Sequence, residues 1–407
     1  FLHGKFEDGE EIYMKVPKGF EHYYAKDVVL KLLKCIYGLK QAAMAFWRQL
    51  LQCMRSTNMK RSSADPCLYY KWTDEGLVLI VSWIDDNLVL GKQSIAFQTK
   101  EDMKGRFDCD DVGEAKEFVG CKIERIGDDA LKFTQPLILQ SYRDEFKLPD
   151  RKYRTPAVAG DVLTKCEDED VMDPEDQTIY RSGVGKMMHV MQYSRPETYN
   201  AVRDLARHFT RAGQKHMDAM LRAMKYSADR PNRGLILRPD TKWNGKKGFK
   251  FTISGRSDSD YAKEPVDRRS VSGSRVLLNG APVMFKSSTQ KHVALSVTEA
   301  ELYAAVSCAQ DMLYVMNVLE SVELEVELPM ILEVDNKGAV GLANNWSIGG
   351  RTRHIDVRQC FLRELKEKGI LIVKWIAGDK NDSDIHTKNL DGPKFEEFGQ
   401  VYYGKDE

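Results

Sequence analysis

The chain has 407 residues, 42% of them hydrophobic and 30% charged, a composition typical of a globular protein that is long enough for two or three domains. Lysine plus arginine equals aspartate plus glutamate, at 61 each, so the chain as a whole is not a basic nucleic-acid binder and any basic surface must be local. The 8 cysteines include no Cys-x-x-Cys pair, which argues against a zinc site or a secreted disulfide scaffold.

The start of the chain carries no recognisable targeting signal. It opens in strand-like residues without an initiator methionine or a signal peptide, so we expect an excised part of a longer protein that stays inside the cell. The most apolar stretch is interrupted by Asp85 and Asp86. We therefore expect no membrane-spanning segment.

The first 150 residues predict a mixed domain. Phe46, Leu50 and Met54 recur at helical spacing and predict an amphipathic helix over residues 41–57. Runs rich in valine, leucine, isoleucine and tyrosine then predict strands at 67–72, 77–84 and 87–90.

Asp85 and Asp86 lie between two of these strands, in GLVLIVSWIDDNLVLGK. A buried pair of charges is costly unless it is solvated, paired or bound to a cation. At the tip of a hairpin the two carboxylates would face a cleft and hold a hard divalent cation through oxygen ligands. The alternative is a polar turn between two core strands, since aspartate and asparagine favour turns.

The middle of the chain changes character twice. Residues 166–176 are acidic and predict an exposed loop or linker. Residues 180–226 are helical in pattern and rich in arginine and lysine. This pattern is typical of helices that contact the phosphate backbone of nucleic acid, and the alternative is a helical face that is simply solvated. The Pro-, Gly- and Asn-containing segment 227–248 predicts the next domain boundary.

The last part predicts an α/β domain of about 150 residues, a typical domain size. The predicted strands are 251–257, 270–278, 282–287, 330–334 and 370–376. The predicted helices are a long one from Val297 to Ser321, two near 337–344 and 354–368, and a short one after Asp382.

Four acidic residues lie where such a fold can bring them together. Asp258 ends the first strand, Glu301 lies in the first turns of the long helix, Asp335 follows a strand and Asp384 begins the last short helix. Singly, each has a structural explanation as a turn, a loop or a helix surface. Together, four converging carboxylates cannot all stay ionised without cations. Two Mg²⁺ ions would neutralise them and activate a water for attack on a phosphodiester.

Several motifs, taken in chain order, carry a family resemblance. They are IYGLKQAAMAFW, ADPCLYY, SWIDDNLVLG, YRSGVGKMMHV, SRPETYNAV, SDSDYA, DRRSVSG, ALSVTEAELYAA, EVDNKGAV, RTRHIDVR and DIHTKNL. Across nearly the whole chain these motifs resemble the reverse transcriptase–ribonuclease H region of copia-type long-terminal-repeat retrotransposon Pol polyproteins. The resemblance implies an α+β polymerase palm, an antiparallel sheet with helices, in residues 1–150. It further implies a helical thumb or connection in 151–248 and an α/β ribonuclease H-like domain in 249–400.

The resemblance also implies roles for individual residues. Asp85 and Asp86 would be the second and third palm carboxylates, which bind two Mg²⁺ ions and the incoming nucleotide. Asp258, Glu301, Asp335 and Asp384 would be the metal ligands that cut RNA in an RNA–DNA hybrid, with Asp260 as the nearest rival to Asp258. Contacts to nucleic acid or nucleotide are expected from Lys40, Gln41, Arg203, Arg207, Arg351 and His354. His354 has either a phosphate contact or a structural role.

The implied cofactor is Mg²⁺, two ions per site, with Mn²⁺ as an alternative. The implied partners are an RNA template, an RNA–DNA hybrid and, for the full-length enzyme, a deoxynucleoside triphosphate. The expected location is a cytoplasmic virus-like particle or the nucleus.

This sequence departs from the family pattern at several positions. The first palm aspartate and the fingers are expected before Phe1. Trp83 stands where the hairpin usually has a tyrosine, Ala43 stands where a proline is usual, and Ser383 stands where an alanine is common. All four nuclease carboxylates are present. We therefore expect hybrid-RNA cleavage without DNA synthesis. The alternative is a catalytically inactive nucleic-acid-binding remnant of a decayed element.

Overall fold

The structure is a computed structural model that describes residue 6 and residues 9–107, 109–345 and 356–405. It divides into two compact units, Phe1–Ala115 and Lys116–Glu407. The domain boundaries predicted near residues 150 and 248 both lie inside the second unit, and they stay predictions. The two units are described separately.

The first unit packs helices against an antiparallel sheet. Its described part contains helices α1 (Ala42–Ser56) and α2 (Gln93–Lys104) and strands β1 (Tyr13–Lys15), β2 (Val29–Lys31), β3 (Lys60–Arg61), β4 (Leu68–Thr73), β5 (Gly76–Trp83) and β6 (Asp86–Leu90). Strands β3 to β6 pair in chain order, whereas β1 and β2 pair with each other. The helix predicted over 41–57 is confirmed as α1. Its apolar residues Phe46, Leu50 and Met54 pack with Tyr69 and Ile80 of the sheet, which is the contact that the helical spacing required.

The second unit begins with a sheet and a group of helices. Its first strands are β7 (Glu117–Phe118), β8 (Cys121–Ile126) and β9 (Ala130–Thr134), and the later strand β10 (Leu235–Leu237) pairs antiparallel with β9. The helices are α3 (Pro136–Glu145), α4 (Pro174–Tyr193), α5 (Tyr199–Ala206) and α6 (Gln214–Ala228). The segment 166–176, predicted as a loop, contains a short 3-10 turn at Asp168–Asp170, and its end is the start of α4. Asp173 caps α4 by accepting the N–H groups of Glu175 and Asp176.

The rest of the second unit is built on a five-stranded sheet. Its elements are β11 (Lys250–Phe251), β12 (Ile253–Asp260), β13 (Val271–Leu278), β14 (Ala281–Thr289), α7 (Val297–Ser321), β15 (Glu325–Val326), β16 (Met330–Val334), α8 (Lys337–Asn344), α9 (Asp356–Glu367), β17 (Leu371–Trp375) and α10 (Gly392–Tyr403). The sheet order is β14-β13-β12-β16-β17, and β11 pairs separately with β15. β12 pairs antiparallel with β13 and parallel with β16, so the carboxyl ends of β12 and β16 lie at the same edge.

The long helix α7 packs closely on this sheet. A Cβ atom at Gly255 of β12 would lie 2.6 Å from Met312 Sδ and 2.8 Å from Cys308 Sγ, so glycine is what allows the helix to approach the strand. By length and composition alone α7 could also cross a membrane, contrary to the expectation that no stretch qualifies. Its buried residues, Ala304, Cys308 and Met312 among them, give it the character of a core helix.

Candidate active site

Three of the predicted carboxylates meet in the second unit. Asp258, Glu301 and Asp335 each offer an oxygen, and these atoms all lie within 4.8 Å of one another. Asp258 and Glu301 are 1% and 3% exposed. Three acidic side chains from distant parts of the chain thus share one small, largely buried volume.

The secondary structure explains why these three meet. Asp258 lies on the central strand β12, whose residue Ser257 is in register with Val334 of the parallel strand β16. Asp335 follows Val334 directly and therefore leaves the sheet beside Asp258, at a strand end where open α/β sheets commonly place their sites. Glu301 lies in the second turn of α7.

Asp260, the sequence rival of Asp258, is oriented differently. Its carboxylate pairs with Lys263, with an N–O distance of 2.5 Å. Of these two aspartates, Asp258 is the one that belongs to the cluster.

Glu301 has an oxygen that the protein leaves without a partner. Its Oε1 accepts a hydrogen bond from the Ser259 N–H at 3.2 Å, whereas Oε2 is buried and has no hydrogen-bond partner. Burial, with the neighbouring charges of Asp258 and Asp335, raises the pKa of Glu301 to about 10. A buried, unpaired carboxylate oxygen of this kind fits a cation ligand, because each unsatisfied buried polar group is otherwise destabilising.

The fourth carboxylate, Asp384, lies beside the three. It belongs to the 3-10 segment Asp382–His386. Lys388 Nζ is 2.9 Å from Asp384 Oδ1 and 3.4 Å from Asp258 Oδ2. Burial and then the charge of Asp258 raise the pKa of Asp384 to about 7 and also raise that of Asp335.

A partly buried ion-pair network holds the segment that carries Asp384. Arg275 of β13 donates to both carboxylate oxygens of Asp382, at 2.7 and 2.9 Å, and Arg256 of β12 adds a third contact at 2.9 Å. Gly273 provides the room, because a Cβ atom there would lie 2.9 Å from the Ser383 carbonyl oxygen. Asp384 is therefore positioned by the sheet itself.

The second carboxylate site lies in the first unit. Trp83 pairs with Asp86 across the hairpin, so the turn consists of Ile84 and Asp85, and Asp86 is already the first residue of β6. The prediction that both aspartates lie at the tip is thus correct for Asp85 and off by one position for Asp86. Both are exposed, and the Tyr37 hydroxyl donates to Asp85 Oδ2 at 3.0 Å.

The residues predicted to contact nucleic acid fall into three groups. Lys40 and Gln41 are exposed just before α1. Arg203 is buried and donates to Asn200, Glu264 and Thr289, while Arg207 pairs with Asp204 and Glu264. These contacts join α5 to the five-stranded sheet, which favours a structural role for both arginines. Arg351 and His354 lie outside the described residues.

Sequence reasoning did not identify Lys388, whose ammonium group lies in the cluster. Lys388 and Asp384 are four residues apart, the spacing of a helical ion pair, and this spacing was visible in DIHTKNL. Thr387 was missed as well, and its hydroxyl donates to Asp258 Oδ2. Nothing in the local pattern indicated that either side chain reaches β12.

Comparison with known proteins relates the chain to a family. A family described as reverse transcriptase (RNA-dependent DNA polymerase) matches residues 1–157. The chain is 30% identical, over 97% of its length, to the retrovirus-related Pol polyprotein from transposon TNT 1-94 of Nicotiana tabacum. This chain belongs with the Pol polyproteins of copia-type retrotransposons.

Two further relatives come from Arabidopsis thaliana. They are the retrovirus-related Pol polyproteins from transposons RE1 and RE2, with 27% and 26% identity over 98% of this Pol region. The region spans 29%, 26% and 27% of the three relatives' lengths. Reverse transcriptases as a family use divalent metal ions and a nucleic-acid template.

Proposed function

We propose that this Pol region cleaves the RNA strand of an RNA–DNA hybrid at the cluster of Asp258, Glu301, Asp335 and Asp384. The observation that carries the proposal is the convergence of Asp258, Glu301 and Asp335 within 4.8 Å, from segments far apart in the sequence. The sheet order, with three antiparallel strands followed by two parallel ones, is what a ribonuclease H-like domain would have. It supports the assignment of residues 249–400.

The side chains present fit magnesium. The ligands are carboxylate oxygens, which hard divalent cations prefer, and the unpartnered Oε2 of Glu301 is buried among them. Burial and then the neighbouring carboxylate charges raise the pKa values of Glu301 and Asp335, and a bound cation would offset both effects. Bound magnesium would supply an activated water and stabilise negative charge on the phosphodiester.

The protein's own contribution is to fix the ligands in place. The Thr387 hydroxyl orients Asp258 by donating a hydrogen bond to its Oδ2. The indole N–H of Trp375 donates to the Asp335 carbonyl oxygen at 3.0 Å, which fixes the backbone that follows β16. Ligands held in one geometry lose little entropy on binding a metal.

The first unit would be part of a polymerase palm. Asp85 and Asp86 would be two of its metal-binding carboxylates, and the exposed Lys40 and Gln41 would help position template and nucleotide. The helices α4 to α6 would form the thumb or connection. The match of residues 1–157 to reverse transcriptases supports the palm assignment of the first unit.

The test is cleavage of a labelled RNA–DNA hybrid by purified protein in Mg²⁺, with Asp335→Asn as the variant. We expect cleavage by the wild type and a loss of at least about 100-fold in the variant, since one ligand of a metal site is removed. Asp379→Asn is the control, because Asp379 is an exposed carboxylate in the neighbouring loop. Equal activity of wild type and Asp335→Asn would refute the assignment, and an inactive wild type that still binds the hybrid would favour the inactive remnant.

A further inference from the structure

The carboxylate cluster contains a cation supplied by the protein itself. The ammonium group of Lys388 lies 2.9 Å from Asp384 Oδ1 and 3.4 Å from Asp258 Oδ2. The Asp258 side chain is 1% exposed and that of Lys388 is 37% exposed. The lysine therefore reaches from the protein surface into the cluster and bridges two of its members.

Other basic side chains near the cluster have different partners. Arg256 and Arg275 are both bound to Asp382, and Lys263 is bound to Asp260. Lys388 thus differs from these three in contacting the cluster itself. Lysine is also suited to moving away, because its ammonium sits on a flexible four-carbon stem.

We propose that Lys388 is an internal counter-ion of the cluster that competes with the divalent cation for Asp258 and Asp384. In the metal-free protein the ammonium holds these two carboxylates together. When a divalent cation binds, Lys388 gives up its contacts and turns toward solvent. This inference rests on the proposed function, since it assumes that the cluster is the metal site.

The test measures Mg²⁺ binding directly, as the rise in unfolding temperature and as heat of binding when MgCl₂ is added to the full chain. Lys388→Gln removes the competing charge, so the half-saturating Mg²⁺ concentration should fall by about tenfold, as expected for one charge removed from a few ångströms away. Lys388→Arg keeps the charge and should stay near the wild-type value. Lys368→Gln is the matched control, because Lys368 is an exposed lysine paired with Glu364 on another part of the surface.

Tighter binding in Lys388→Gln, with the two other variants unchanged, would support the competition. An unchanged or higher half-saturating concentration would overturn it, because Lys388 would then organise the ligands rather than compete for them. If Lys388→Gln is unfolded in EDTA, refolding on addition of MgCl₂ supports the inference, and failure to refold overturns it. Asp335→Asn separates the two hypotheses: if the wild-type Mg²⁺ response persists in that variant, the cluster is not the metal site and both fail.

Discussion

The buried carboxylate of Glu301 should destabilise the metal-free protein at neutral pH. Its pKa is raised from an ordinary 4.5 to about 10, by burial and by the charges of Asp258 and Asp335. Below pH 4.5 the group is protonated in both the folded and the unfolded state and contributes nothing. Above pH 4.5 the unfolded chain ionises and the folded protein does not, so stability falls as the pH rises. Glu301→Gln, which cannot ionise, should therefore stabilise the metal-free protein.

The size of the effect follows from the pH interval. Between pH 4.5 and pH 7, each pH unit is worth about 1.4 kcal/mol, so Glu301→Gln should raise the free energy of unfolding by about 3 kcal/mol at pH 7. At pH 5 the difference should shrink to less than about 1 kcal/mol. For a unit of this size the pH 7 value corresponds to a rise in Tm on the order of 5 to 10 °C.

The assay is scanning calorimetry in EDTA, at pH 5 and pH 7. Glu320→Gln is the control, since Glu320 is an exposed glutamate near the other end of the same helix, and its Tm should not change. The reasoning would be refuted by a Tm of Glu301→Gln at or below that of the wild type at pH 7. A difference that stays the same at pH 5 would also refute it, because the gain would then come from packing rather than ionisation.

Three further predictions follow from the contacts around the cluster. Gly273→Ala should lower hybrid cleavage by about tenfold or more, because the new Cβ would press on the segment that carries Asp384. Gly185→Ala is the control, because a Cβ there meets nothing within 4 Å. Equal activity of the two variants would contradict the argument. Arg275→Met leaves the carboxylate of Asp382 paired with Arg256 alone and should lower the free energy of unfolding by about 2 kcal/mol, because two charged hydrogen bonds are lost. A urea midpoint equal to the wild type would show that the pair is dispensable. The affinity for an RNA–DNA hybrid should fall steeply as salt rises, and a dissociation constant insensitive to salt would exclude backbone contacts.

Sequence periodicity predicted the parts of this fold that depend on local pattern. The helix over 41–57 and the alternating elements after residue 250 appear within a few residues of their expected bounds. The convergence of Asp258, Glu301 and Asp335 could also be expected, because parallel strands place their carboxyl ends at one edge. The pairing of Trp83 with Asp86 could not be predicted from the sequence. A shift of one residue in a tight turn changes neither the composition nor the hydrophobic period of the two strands.

The misjudged residues are those whose partners are distant in sequence. Arg203 was expected at a nucleic-acid surface because it lies in a basic helical stretch, but it is buried and bonds to Glu264, which follows β12, and to Thr289 of β14. Conversely, the sequence analysis did not single out Lys388, although its ammonium contacts both Asp258 and Asp384. Charge counted along a sequence indicates how many ions a segment carries, whereas burial and pairing are decided by tertiary contacts.

Metal binding should affect the stability of the two units of this Pol region differently, because the carboxylates of the first unit are exposed and those of the second are buried. Asp85 and Asp86 are exposed on a hairpin, where water screens their repulsion, so the first unit can keep its fold without a cation. Asp258 and Glu301 are 1% and 3% exposed, so their repulsion is felt at nearly full strength and must be met by protons, by Lys388 or by a metal ion. Metal binding at the buried cluster is therefore linked to the stability of the second unit, because a ligand that binds only the folded state stabilises it. Mg²⁺ should accordingly raise the unfolding temperature of the second unit and leave that of the first nearly unchanged, and a Mg²⁺ response confined to the first unit would contradict this argument.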